Sequence, residues 1–213
     1  MNYIFSNKSG TKLSSLYTVF SLFFLTILLL VISSCEFERP YIKSTEPMLQ
    51  ETEVNGVYVE CKYMNYRDLE KKHGYKANPF LPPDLALTPK QTIVFDLKII
   101  NNDDAPVLLN IKDVDLLFGD TRYSPMSPAD MQDKIEEYAE RNENLEENRV
   151  AKRFMFPYIK NIGGNKTESG YLVFMGGFRG RNIPTELSLT FTTLDKNIAA
   201  EINFTYTLTL LKK

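Results

Sequence analysis

The sequence predicts a mainly β fold: an antiparallel two-sheet sandwich with helical insertions, carried behind an N-terminal apolar segment. Three observations predict it. Residues 91–101, 186–194 and 199–211 each alternate apolar and polar side chains, the period of a strand with one face in a core and one in water. Asn, Asp, Gly and Pro clusters stand between such runs, where the chain must turn. Helix-type spacing is confined to two stretches, at about 64–89 and 120–165, which read as insertions.

The N-terminus is a different kind of sequence. Residues 1–12 carry Lys8 and Lys12 and no acid; from Leu13 to Cys35 there is no charge, and residues 16–31 are almost wholly apolar. A basic start, an apolar helix-forming run and small residues at its end make the pattern of a secretory signal, here residues 1–34. A run near 20 apolar residues is also long enough to span a bilayer, so an uncleaved single-pass signal anchor over 13–32 is the alternative. Ile32-Ser33-Ser34-Cys35 resembles the lipobox of bacterial lipoproteins. In that motif Ile32 is the aliphatic position, Ser33 and Ser34 are the small ones, and Cys35 is the lipid acceptor. The resemblance implies cleavage before Cys35 and a thioether-linked diacylglycerol on its sulfur, with a further N-acyl chain in many bacteria. Two or more chains anchor a protein stably, where one holds it only marginally. It also implies a cell-envelope location, with the outer membrane or cell surface favoured over the inner membrane.

Removing residues 1–34 takes away two lysines and no acids. The remaining 179 residues hold 23 basic and 27 acidic side chains, a net charge of −4. That length suits one domain, and the weak negative charge argues against nucleic acid as a partner. The chain has two cysteines. With Cys35 acylated, Cys61 has no intramolecular partner, and its place in the alternating Val57-Tyr58-Val59-Glu60-Cys61 reads as a buried strand thiol.

In order, residues 35–52 hold prolines and polar groups without a period and read as a flexible tether. Residues 54–63 read as the first strand. Residues 64–76 suit a short helix ended by Gly74, and Asn78-Pro79-Phe80-Leu81-Pro82-Pro83 a stiff loop. After the strand at 91–101, Asn101-Asn102-Asp103-Asp104-Ala105-Pro106 turns the chain. Residues 107–111 and 114–118 read as two short strands, closed by Gly119-Asp120. Ser127-Pro128-Ala129-Asp130 is a helix start, with Ser127 as cap, Pro128 in the first turn and Asp130 where a capping-box acid reaches back. This helix is expected over 128–148. Its narrow apolar stripe is Met131, Ile135, Tyr138 and Leu145, and its acidic flanks suit a solvated helix or one that docks a partner. Residues 153–159 are apolar and expected to tuck under that insertion, and Gly163-Gly164-Asn165-Lys166 reads as a turn. Residues 170–175, 186–194 and 199–211 complete the strands, with a tight hairpin at 194–197.

About seven strands with this spacing argue a sandwich of immunoglobulin type. Its core is expected from Val57, Val59, Ile93, Phe95, Leu97, Ile99, Leu116, Phe118, Leu172, Phe174, Leu187, Leu189, Phe191, Ile202, Phe204 and Tyr206. The stretch 96–117 (DLKIINNDDAPVLLNIKDVDLL), with Asp113 and Asp115, followed by Gly170-Tyr171-Leu172-Val173-Phe174, is similar to immunoglobulin-like domains of bacterial surface lipoproteins. That resemblance implies the sandwich and assigns no activity.

Catalytic signatures are sparse. His73 is the single histidine, and with no second histidine and no mature cysteine pair the usual zinc ligand sets cannot be built. It reads as a surface residue near a helix end. There is no G-x-S-x-G nucleophile elbow and no phosphate-binding loop. Asn101–Asp104 and Asp113-x-Asp115 carry oxygens suited to calcium but lack EF-hand spacing. No catalytic residue, cofactor or metal is assigned. Tyr63, Tyr66, Tyr75 and Phe80 gather in the first insertion and form a possible binding loop, since tyrosine-rich loops contact glycans and proteins. The expected function is a lipid-anchored, non-enzymatic envelope protein that binds or assembles through this domain. The alternative from another class is an envelope enzyme or accessory subunit using loop carboxylates.

Overall fold

The structure is a computed structural model that describes residues 41–44, 47–74, 91–141, 153–194 and 198–211. The expected signal segment, the lipobox-like motif with Cys35, the proline-rich loop expected at 78–83, residues 142–148 of the expected acidic helix and residues 195–197 of the expected hairpin lie outside them. The elements in chain order are β1 (Tyr41–Ser44), β2 (Leu49–Val54), β3 (Val57–Met64), α1 (Tyr66–His73), β4 (Gln91–Asn101), β5 (Val107–Phe118), β6 (Thr121–Tyr123), α2 (Pro128–Arg141), β7 (Ile159–Ile162), β8 (Lys166–Gly176), β9 (Ile183–Thr193) and β10 (Ala199–Leu211).

The strands form two antiparallel sheets. One runs β1-β10-β9-β5, and the free side of β5 is shared by β7 near its start and β6 near its end; the other runs β2-β3-β4-β8. All the core residues expected from alternation are buried between the sheets. Ile93, Phe95, Leu97 and Ile99 of β4 face Leu187, Leu189 and Phe191 of β9 and Ile202, Phe204 and Tyr206 of β10 within one cluster. Burying side chains of this size stabilises the fold by about 1.5–3 kcal/mol each before entropy is charged.

The sequence reading fails mostly at edges. Residues 41–44 and 49–52, expected in a tether, belong to strands: β1 pairs β10 from Tyr41↔Leu211 to Ser44↔Leu208, and β2 pairs β3. β2 alternates only between exposed and half-buried positions, so it carries no hydrophobic period to detect. Its hairpin signal was present in Asn55-Gly56, both at positive φ (50° and 76°), the pair that two-residue β-hairpin turns favour. Residues 107–118 form one strand instead of two, with an irregularity between Leu109 and Val114 where its pairing to β9 shifts register. A bulge breaks the alternation while the ladder continues. The second insertion contains β6 and β7, each too short for a periodic signal.

The helices form as their caps dictate. The Asn65 side chain accepts the Asp68 N–H at 3.0 Å, and the Gly74 N–H closes on the Glu70 carbonyl at 2.7 Å. The Asp130 N–H donates to Ser127 Oγ, the N-cap bond; the Ser127 hydroxyl donates to Asp130 Oδ2 at 2.7 Å, so the acid meets the cap's side chain and not its backbone N–H as a capping box would. Leu69 of α1 and Met131 of α2 join Met64, Val94, Met155, Tyr171 and Val173 in a second cluster outside the main core.

One buried polar residue ties the loops at one end. Asn101 is 0% exposed. Its Nδ2 donates to the carbonyls of Ala105 (2.8 Å), Ile162 (3.2 Å) and Gly163 (3.2 Å), and its Oδ1 accepts the Asp103 N–H at 3.1 Å. The β4–β5 loop and the β7–β8 turn therefore share one side chain.

Candidate functional site

Outward-facing residues of the β2-β3-β4-β8 sheet fall into rows set by register. One row is Lys62, Asp96 and Tyr171, from Lys62↔Asp96 and Asp96↔Tyr171. The last turn of α1 lays Lys72 and His73 over it. Lys72 Nζ donates to Asp96 Oδ2 at 2.8 Å and stands 4.8 Å from the Tyr171 ring centroid. His73 Nε2 lies 3.1 Å from the Tyr171 hydroxyl. The imidazole meets Phe154 and Tyr171 edge-on, with centroids 5.1 and 5.7 Å away.

The electrostatics follow from partial burial under the helix. Burial pushes the His73 pKa below 6.5, the nearby Lys72 ammonium pushes the same way, and Asp96 opposes both. Burial pushes the Tyr171 phenol up. For Lys72 burial pulls down, but the hydrogen bonds to Asp96 and Tyr171 outweigh it and the ammonium is held charged. At neutral pH the grouping therefore holds a neutral imidazole, a protonated phenol and a paired ammonium. They make a polar joint between α1 and the sheet, in which His73 takes up a proton less readily than a free imidazole does.

This joint has a testable pH dependence. The unfolded chain binds a proton on His73 near pH 6.5, while the folded chain takes it up only at lower pH. Its contribution is therefore present above pH 6.5 and is lost as pH falls through that value. The urea midpoint of the wild type is expected to drop between pH 7.5 and pH 5.5 by more than that of His73→Gln. Equal drops in both proteins sink the assignment.

The expected binding loop is not assembled by the described residues. Tyr63 lies in β3, 2% exposed, with its ring 5.9 Å from Phe95 and 6.3 Å from Tyr206; it is core, because the alternation that buries Val57, Val59 and Cys61 continues to it. Tyr66 opens α1, and Tyr75 and Phe80 lie outside the described residues. Among the oxygens suited to calcium, Asp103 Oδ1 accepts the Asp104 N–H, Asp104 Oδ1 accepts from Asn165 Nδ2, and Asp115 Oδ2 pairs with Arg122 at 3.3 Å. Among the described residues no group of three His, Cys, Asp or Glu is placed to hold a metal. An open hollow of about 230 Å³ on the other sheet is lined by Leu117, Pro184, Thr185, Glu186, Thr205 and Thr207, among others, with Glu186 its one acid. Of the Lys72–His73–Asp96–Tyr171–Phe154 grouping, the sequence singles out only His73, expected as a surface residue near a helix end; it is instead half-buried against Tyr171 and Phe154. The partners come from a helix and two strands far apart in the chain, and no local pattern marks them.

No protein-family model matches the chain, and no curated protein matches it. Several solved structures align weakly with the chain. A candidate lipoprotein (ycdA) from Bacillus subtilis is 14% identical, with 76% of this chain and 39% of that one covered and a TM-score of 0.41. A FixG-related protein from Vibrio parahaemolyticus is 7% identical, with 72% and 97% covered and a TM-score of 0.37. A functionally unknown protein from Listeria monocytogenes is 10% identical, with 80% and 88% covered and a TM-score of 0.39. The chain spans 39% of the length of the Bacillus protein. Likeness at this level carries no argument about activity or partner.

Proposed function

We propose that this chain is the precursor of a bacterial envelope lipoprotein: Cys35 carries lipid, and the exported body is an immunoglobulin-like sandwich that binds or assembles with a partner and performs no catalysis. The observation that carries the reading is the contrast between the two cysteines. Cys35 closes an uncharged apolar run and is followed at once by Glu36-Phe37-Glu38-Arg39. Cys61 is sealed in the core, 0% exposed, with the Tyr206 hydroxyl donating to its carbonyl and its sulfur. Burial pushes its thiol up to about 12, so it is a packing group with no thiolate to react. Strand order supports the immunoglobulin-like part. β3-β4-β8 and β10-β9-β5 have the connectivity of the A-B-E and G-F-C strands of that fold. The chain crosses sheets between β4 and β5, returns in β8 beside β4, and crosses again to β9 beside β5. The envelope location follows from the anchor, with the outer membrane or cell surface favoured.

Metabolic labelling with a palmitate analogue, followed by intact mass, tests the reading. Cys61→Ser is expected to keep the label and start at Cys35 with added lipid mass. Cys35→Ser is expected to lose the label and remain unprocessed. A wild-type chain that begins at Met1 without lipid returns the signal-anchor alternative.

A further inference from the structure

We infer that the loop between β8 and β9 is a second membrane contact, which lays the lipid-anchored end of the sandwich against anionic phospholipid headgroups. The inference rests on the reading of Cys35 as the lipid-bearing residue. Its first support is length. β1 starts at Tyr41, so only residues 36–40 separate it from Cys35, and six extended steps reach at most about 20 Å. The end of the sandwich that holds Tyr41 is thereby kept near the bilayer. Tyr41 is opposite Leu211, and Leu208 is opposite Ile183, so the 177–182 loop that leads into β9 stands at that same end.

The loop itself is built to present charge. Phe178, 0% exposed, plugs into the core with ring centroids 5.2 Å from Phe118 and 4.6 Å from Tyr123. At the other side the Asn182 N–H donates to Thr209 Oγ1, which donates to Asn182 Oδ1, both at 2.8 Å. Between these pins Arg179 and Arg181 are exposed, and neither makes an ion pair among the described residues. Unpaired guanidiniums on a fixed loop suit phosphate, which they bind bidentately. The chain adds Arg39 and Lys43 around the start of β1, and Lys212 and Lys213 after β10. The acids on the same stretches are Glu36 and Glu38 between Cys35 and β1, Asp120 in the β5–β6 turn and Glu186 in β9, so the exposed arginine pair of the loop is what favours an anionic surface. The 194–198 end, about 40 Å away along β10, is turned outward.

The chain contains no tryptophan, so one introduced residue is a clean reporter. Gly177→Trp fits, since a side chain there meets nothing within 4 Å; Leu194→Trp, at an exposed position of the opposite end, is the control. The full processed protein, extracted from membranes, is reconstituted in vesicles of phosphatidylcholine alone or with about one third phosphatidylglycerol at low salt. The Gly177→Trp emission is expected to shift blue and be quenched by brominated lipid only in the anionic vesicles, with Leu194→Trp unchanged. Adding Arg179→Gln and Arg181→Gln, or 0.5 M salt, is expected to abolish the shift. Each arginine near an anionic surface contributes about fivefold in association, so the pair is worth on the order of 30-fold. Intact mass of the same sample separates the two failures. Lipid on Cys35 with no anionic-lipid dependence overturns the loop contact and leaves the anchor standing. No lipid on Cys35 overturns both.

Discussion

Asn101→Ala is expected to lower the stability of the domain by about 3 kcal/mol, read as a fall of roughly 1.5 M in the urea midpoint. The side chain is fully buried and serves three carbonyls and one N–H. Alanine removes the donor and leaves those groups without it, and a buried polar group that loses its partner costs about 1–3 kcal/mol. Asn101→Asp should cost at least as much, because a carboxylate of the same size faces carbonyls to which it cannot donate. The neighbouring Asn102 is exposed and its backbone N–H donates to the Gly56 carbonyl at 2.8 Å, a bond alanine keeps, so Asn102→Ala should stay within about 0.5 kcal/mol. A loss below about 1 kcal/mol for Asn101→Ala would show that water replaces the amide and that the residue does not tie the two loops.

Tyr63→Ala is expected to cost about 3–5 kcal/mol, the range for removing a large aromatic from a core. Its ring packs against Phe95 and Tyr206, and Phe95 in turn meets Phe174 at 6.1 Å, so truncation opens a cavity at the centre of the aromatic cluster. The measurement is the denaturation midpoint beside that of Ile198→Ala, an exposed apolar position where little change is expected. A Tyr63→Ala protein as stable as the wild type would contradict the burial described above and restore this tyrosine to the candidate binding surface.

The comparison of sequence with structure has a consistent physical pattern. β4, β9 and β10 were legible because each carries a full apolar face opposite a polar one, which is a local property. β1 and β2 were not, because edge strands bury too little to need an apolar period. β5 was read as two strands because the chain between Leu109 and Val114 interrupts the alternation without ending the ladder. Tyr63 ends the strand legible at 54–63 and also begins an aromatic-rich stretch; the strand pattern wins, because its side chain falls on the buried face of β3.

By itself the sequence determined the two-sheet core, the burial of Cys61, the end of α1 at Gly74 and the start of α2 at Ser127-Pro128. Each of these is encoded by residues within a few positions of one another. Only the tertiary structure decided that His73 meets Tyr171 across 98 residues, that Asn101 reaches Ile162 across 61, and that Arg179 and Arg181 stand at the end where β1 begins. Such meetings depend on sheet order and register, which bring together residues whose local sequence carries no mark of the encounter.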